Sequence, residues 1–177
     1  EVIDEAFPGD VLGLPNNGDF AIGDSLCGGA TVRFASIPRF QPEHFALLRN
    51  TDLGKQKQFA KGLSQLESEG AVQVLYNFNA FKREPILAVV GQLQFDVVQA
   101  RLKAEYNVPT ELERLPHAMI RWVTGPEEKI EALSGRSEVI VARDSRDGWA
   151  VLFSSPFYLK YFSEKNPELT FMEITQL

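Results

Sequence analysis

The chain is poor in the residues that build metal sites and cross-links. It has one cysteine, Cys27, and two histidines, His44 and His117, which stand far apart in the sequence. An internal disulfide is therefore excluded, and no cysteine/histidine zinc pattern is available. Long apolar runs are missing too, and the opening "EVIDEAFPGD" has neither a basic region nor an apolar signal segment, so a cytoplasmic protein without a membrane partner is expected. Positive charge is scarce: 18 Lys and Arg stand against 24 Asp and Glu, for a net charge of -6. Polyanion binding by counterion release needs many cations on one face, so any nucleic-acid contact must use a local patch. What is present is 44% hydrophobic content in 177 residues, enough for a core in one domain with a smaller appendage. The chain has no initiator methionine and opens in a strand-and-turn region, which suggests a fragment of a longer polypeptide.

Turn signals punctuate the first segment: Pro8-Gly9-Asp10, Asn16-Asn17-Gly18-Asp19, Gly23-Asp24 and Gly28-Gly29. The short pieces between them, "VLGL", "FAI" and "TVRF", read as β-barrel strands, too few to close a barrel. "ASIPRFQPEHF" reads as a connection broken by Pro38 and Pro42, with helical character expected after it. The expected division is residues 1–36 as the last strands of a β-barrel and 37–177 as an α/β domain. In "TDLGKQKQFAKGLSQLESEG", Phe59, Leu63 and Leu66 share one side at helical spacing and Gly70 marks the stop. "AVQVLYNF" and "ILAVV" read as strands, and a second helix carries Phe95, Val98, Leu102 and Tyr106 on one stripe. With "TVRFASI" in front and "TELERL" behind, the order is strand, helix, strand, strand, helix, strand. That is the ferredoxin-like split β-α-β arrangement of the α+β class. "AMIRWVTG", "PEEKIEAL", "EVIVARDS", "WAVLFSS", "PFYLKYFSEK" and "LTFMEI" repeat the rhythm more loosely, so a duplicated architecture is possible.

No segment fits the P-loop pattern, which excludes GTP or ATP binding by that route. "DGWAVLF" resembles the strand on which RNA-recognition folds present stacking rings. Asp147 stands where a basic residue belongs and Val151 where a second ring belongs, so Trp149 reads better as a packing residue. Asp96, with Gln92 and Gln94 beside it, has the composition of a general-base site but no acid, nucleophile or second carboxylate as partner. It reads as a first-turn helix residue, with Gly91 turning the chain at the end of a buried strand. His117 and Cys27 lack partners in the sequence in the same way. The sharper candidates are cations: Lys57 and Lys61 one helical turn apart on the solvent face, Lys55 at the edge of the apolar stripe, and Arg101 and Lys103 on the second helix. Together they could form a modest phosphate-contacting surface; the alternative is a solvated helix face.

"KQKQFAKGLSQLESEGAVQV" followed by "VGQLQFDVVQARLKAEYNV" closely resembles the C-terminal part of the peptide chain release factor 3 family, bacterial translational GTPases of termination. "PGDVLGL" and "IGDSL" resemble the end of the β-barrel second domain of translational GTPases. The likeness is strong from residue 8 to about 108 and weakens after Leu115. The resemblance implies a parent that binds GTP with Mg²⁺ in a GTPase domain absent from this chain, engages the terminating ribosome, and promotes dissociation of class-I release factors. It implies a third domain that touches the small ribosomal subunit and relays nucleotide state from the protein's own GTPase domain, and no cofactor or chemistry in this region itself. Lys55, Lys57 and Lys61 lie inside the motif, which directs them to the ribosome or to a domain interface. Rival readings are an elongation factor G-like fragment, a free-standing RNA-binding ferredoxin-like module, and a small ferredoxin-like hydrolase.

Overall fold

A computed structural model describes residues 2–15, 19–20, 22–32, 34, 40–79 and 84–173. Two compact units separate, Glu1–Ser36 and Ile37–Leu177. In the first, the Pro8-Gly9 signal makes a turn: the Asp10 amide donates to the Phe7 carbonyl at 3.0 Å, and Gly9 takes φ +102. That positive φ is open to glycine at little cost. The β-barrel strands expected here are corrected: the described residues of this unit hold turns and bends but no strand, and Val11 and Leu14 of "VLGL" are exposed. Pieces this short need neighbouring strands to satisfy their backbone and cover their side chains. "FAI" and "TVRF" each include a residue outside the described set, as does the proposed first strand "TVRFASI".

The second unit runs β1 (His44–Asn50), α1 (Gln56–Ser68), β2 (Gln73–Asn77), β3 (Pro85–Val89), α2 (Leu93–Tyr106) and β4 (Thr110–Arg114). It continues with β5 (Met119–Thr124), α3 (Glu127–Glu131), β6 (Val139–Asp144), β7 (Trp149–Phe153), α4 (Pro156–Lys165) and β8 (Thr170–Met172). The order strand, helix, strand, strand, helix, strand thus occurs twice. The first strand is "HFALLRN", where helix was expected to begin. Phe45, Ala46 and Leu48 are all buried, and a strand covered on both faces loses the polar alternation that would mark it.

All strands pair antiparallel in one open eight-stranded sheet, ordered β4-β1-β3-β2-β6-β7-β5-β8. The order is symmetric: the second half reads outward from β6 as the first does from β2. The halves join where Tyr76 of β2 sits opposite Arg143 of β6. Cross-strand partners point to the same side. Tyr76 packs on the core that holds Phe59 and Leu63 of α1 with Phe95 and Val98 of α2. Arg143 shares its side with Val141 and Val151, which pack on Ile130 of α3 and Phe162 of α4. All four helices therefore lie on one face.

The other face has no helix, yet Phe45, Leu75, Ile86, Ile120, Trp122 and Leu152 are buried there in one cluster. The sheet covers that face by curling on itself. Gln41, just before β1, donates its Nε2 to the Ile120 carbonyl of β5 at 2.5 Å, although four strands separate β1 from β5 in the sheet. Twisted antiparallel sheets curl readily in this way, and the edges β4 and β8 remain unjoined, so no barrel closes.

His117, between β4 and β5, is buried with neither ring nitrogen hydrogen-bonded, and burial lowers its pKa from 6.5. The depressed folded value means that the unfolded chain binds the proton first, so stability present above pH 6.5 is lost as pH falls below it. His117→Phe should flatten the stability profile between pH 7 and about 5.5, where one proton accounts for at most about 1.4 kcal/mol per pH unit. Urea unfolding at several pH values checks it, and an unchanged slope would refute the assignment.

Candidate functional site

The two helices that carry the candidate cations meet at a glycine. A Cβ on Gly62 would stand 2.8 Å from Leu102 and from the Tyr106 ring, so α1 and α2 approach closely there. The stripe predicted for α1 is observed, with Phe59, Leu63 and Leu66 buried and Gly70 ending the helix at φ +72. On α2, Phe95, Val98 and Leu102 are buried, and Asn107 caps the helix in the left-handed conformation.

Against this frame the five cations separate. Lys55 precedes α1 and donates its Nζ to the Asn107 carbonyl at 2.7 Å, with Asp52 at 3.4 Å. A cation at the carbonyl end of α2 also meets the negative end of that helix dipole, so Lys55 ties the start of α1 to the end of α2. Arg101 joins the helices further along, reaching Glu105 through Nε and Nη2 and Glu69 through Nη1. These carboxylates push the Arg101 pKa up, and Arg101 pushes both of theirs down. Its charge is thereby neutralised. Lys57 and Lys61 are exposed on the outer side of α1 and form no ion pair among the described residues. Lys103 is exposed as well, but two residues from Arg101 on a helix means about 200° of rotation, which carries it to the flank of α2 away from α1. Lys57 and Lys61 are the pair that shares one free face.

The loop that opens α2 has no catalytic geometry. Gln94 Oε1 accepts from the amides of Val90 and Gly91 at 3.0 and 2.9 Å, and its Nε2 donates to the Ala71 carbonyl at 3.1 Å. Gln94 therefore fixes the turn, and Gly91 needs no positive φ. Asp96 is exposed in the first turn of α2. Trp149 is buried, its ring 3.4 Å from the Arg143 guanidinium carbon and 4.9 Å from the Phe78 ring, and its Nε1 donates to Glu127 at 3.2 Å. It offers no face to a base.

Glu67, on the inner flank of α1, accepts from the Val74 amide at 3.0 Å, and partial burial raises its pKa. Sequence reasoning missed a second cationic region, a cavity of about 210 Å³ between α3 and α4 that Lys129, Arg136 and Lys165 line. The one local signal for it was the spacing Phe157, Tyr161, Lys165, one residue per helical turn on α4.

Fold and surface define a mixed α/β domain with one open antiparallel sheet, four helices on one face, and its free cations on the outer helix surfaces. Within that class the chain belongs to a specific family. Residues 34–163 match the family described as "Class II release factor RF3, C-terminal domain". The chain is similar to proteins named peptide chain release factor 3: 48% identical to that of Gloeobacter violaceus over 100% of this chain and 34% of the relative. It is 46% identical to that of Rippkaea orientalis, over 96% of this chain and 31% of the relative, and 45% identical to that of Acaryochloris marina, over 99% and 32%. The chain thus spans about a third of the length of these relatives.

Proposed function

We propose that this chain is the ribosome-contacting C-terminal region of a translation termination GTPase that promotes dissociation of class-I release factors. The observation that carries the proposal is that a free cationic pair, Lys57 and Lys61, lies on the outer face of α1 within the part of the chain that matches the family. Contacts to ribosomal phosphate need cations whose charge is not already cancelled, and a concentrated pair can serve an acidic protein.

On this proposal, residues 1–36 are the end of the second-domain β-barrel and residues 37–177 are the third domain. The third domain is a duplicated ferredoxin-like fold, a reading supported by the strand order β4-β1-β3-β2 and its inverted repeat β6-β7-β5-β8. GTP and Mg²⁺ belong to the GTPase domain outside this chain, and this region does no chemistry. It works in the cytoplasm, its partner is the small ribosomal subunit, and its effect on class-I factors is indirect. Lys55 and Arg101 keep α1 and α2 in register and present the lysine face, and they act on partners only through that frame.

Changing both Lys57 and Lys61 to Glu in the full-length factor reverses two charges on an exposed face. Ribosome affinity should fall at least about tenfold at moderate salt, with ribosome-stimulated GTP hydrolysis reduced in parallel. Both helix positions are exposed, so the fold should survive. Unchanged affinity together with unchanged stimulation would rule out this face.

A further inference from the structure

Most of the chain's structured arginines are already engaged by acids. Arg49 pairs with Glu84 and Glu113, Arg101 with Glu69 and Glu105, and Arg143 with Glu127 and Asp147. The cavity between α3 and α4 is different. Arg136 and Lys165 form no ion pair among the described residues, and Lys129 has one, to Glu168 at 3.5 Å, with its side chain more than half exposed. Three cations thus converge on about 210 Å³ in a protein of net charge -6. The Arg136 guanidinium lies over the buried Phe162 ring, 5.3 Å from its centre, which restricts the side chain before any anion arrives.

Beside the cations stand exposed rings. Phe157 is 68% exposed and Tyr161 40%, and the two rings are 6.5 Å apart with 17° between their planes. Tyr161 also lines the cavity. Along α4 the sequence presents ring, ring and cation at Phe157, Tyr161 and Lys165, one per helical turn on a single stripe. Exposed aromatic rings have an energetic cost in water, and nothing in the core packing of α4 requires these two on the outside, since Phe162 is the residue it buries.

We propose that the α3–α4 cavity is a binding site for single-stranded RNA, with a backbone phosphate among Lys129, Arg136 and Lys165 and a base stacked on the Tyr161–Phe157 pair. The volume is below the range of pockets that enclose a whole small-molecule ligand, about 300–1,000 Å³, and suits a phosphate group with the rest of the strand outside. Cations beside flat rings are the pairing that binds unpaired nucleic acid, whose bases are free to stack. A phosphorylated peptide would use the cations but leave the rings without a planar partner. The site is separate from the α1 lysine face. It rests on the proposed ribosomal role only for the source of the RNA.

The test is fluorescence anisotropy of a labelled decauridylate RNA titrated with the full chain at several salt concentrations. Arg136→Ala with Lys165→Ala should weaken binding at least tenfold and reduce the slope of log K against log salt by about 1.4, at about 0.7 per lost phosphate contact on a single strand. Tyr161→Ala should weaken binding about tenfold with the slope unchanged, and Tyr161→Phe should restore it. Wild-type affinity in the double variant, or in Tyr161→Ala, would overturn the proposal. So would inorganic phosphate or a phosphoserine peptide displacing the probe at the same concentration as unlabelled RNA. Lys57→Glu with Lys61→Glu separates the two surfaces: loss of ribosome affinity with decauridylate binding intact supports both, and loss of decauridylate binding in that variant alone overturns the cavity.

Discussion

Gly125→Ala should lower the unfolding free energy by about 3 kcal/mol or more, a large fraction of the stability of a domain this size. Two costs combine. Gly125 closes β5 at φ +145, a conformation that L side chains rarely adopt, which costs about 1–3 kcal/mol. A Cβ there would also stand 2.7 Å from Leu169 Cδ2 and 2.8 Å from the Glu168 carbonyl oxygen. Leu169 is buried in the core under α3 and α4, and a backbone carbonyl cannot rotate away as a side-chain tip can. Overpacking of this kind adds about 1–3 kcal/mol. Gly135→Ala is the control: its φ is +82 but nothing lies within 4 Å of the added carbon, so it should cost about 1–2 kcal/mol. Denaturant unfolding of both variants measures the difference, and equal losses would show that the contact with residues 168 and 169 carries no weight. The larger loss should also weaken RNA binding at the α3–α4 cavity, because Glu168 holds Lys129 from the same strand end.

What could be read from the sequence was the part encoded at short range. The stripes Phe59-Leu63-Leu66 and Phe95-Val98-Leu102 are periodic within one helix, and Gly70 and Pro126 stand at element ends where local backbone chemistry places them. The second-half elements were legible for the same reason. β1 was not, because a strand buried on both faces reads as an apolar run, and the residues that cover "HFALLRN" come from strands far along the chain. The curl of the sheet depends on the β2–β6 register, which no local pattern encodes.

The cations divide along the same line. Lys57 and Lys61 were read as a solvent-facing pair from helical spacing alone, and the structure exposes both. Lys55 and Arg101 read as free charges, yet their partners Asn107 and Glu69 lie 52 and 32 residues away. The α3–α4 cavity escaped notice because Lys129, Arg136 and Lys165 come from separate stretches of chain. A cation's availability is thus a tertiary property, while its place on a helix face is a local one. Spacing ranks candidates, and the fold decides which of them still carry a usable charge.

Asp144→Ala should cost about 2–4 kcal/mol through one carboxylate that joins the two faces of the second half. Its Oδ1 accepts from the Gly148 and Arg146 amides at 2.7 and 3.0 Å and closes the β6–β7 hairpin. Its Oδ2 accepts from the Trp122 indole at 2.9 Å across the intervening strand β7. Trp122 is buried in the helix-free face of the sheet, so its N–H has no water to replace the lost acceptor. An unsatisfied buried donor costs about 1–3 kcal/mol, and the hairpin loses two further bonds. The fit is close on the opposite side too, since a Cβ on Gly148 would stand 2.8 Å from the same carboxylate. Trp122→Phe removes the donor while keeping a ring in the core. A double-mutant cycle with Asp144→Ala should therefore be less than additive by about 1 kcal/mol, because the second change no longer leaves an indole unpaired. Additive losses would mean that the indole bond contributes nothing and that the hairpin bonds account for the whole effect. A coupling of the expected sign would assign to Asp144 the tie between the hairpin and the curled sheet.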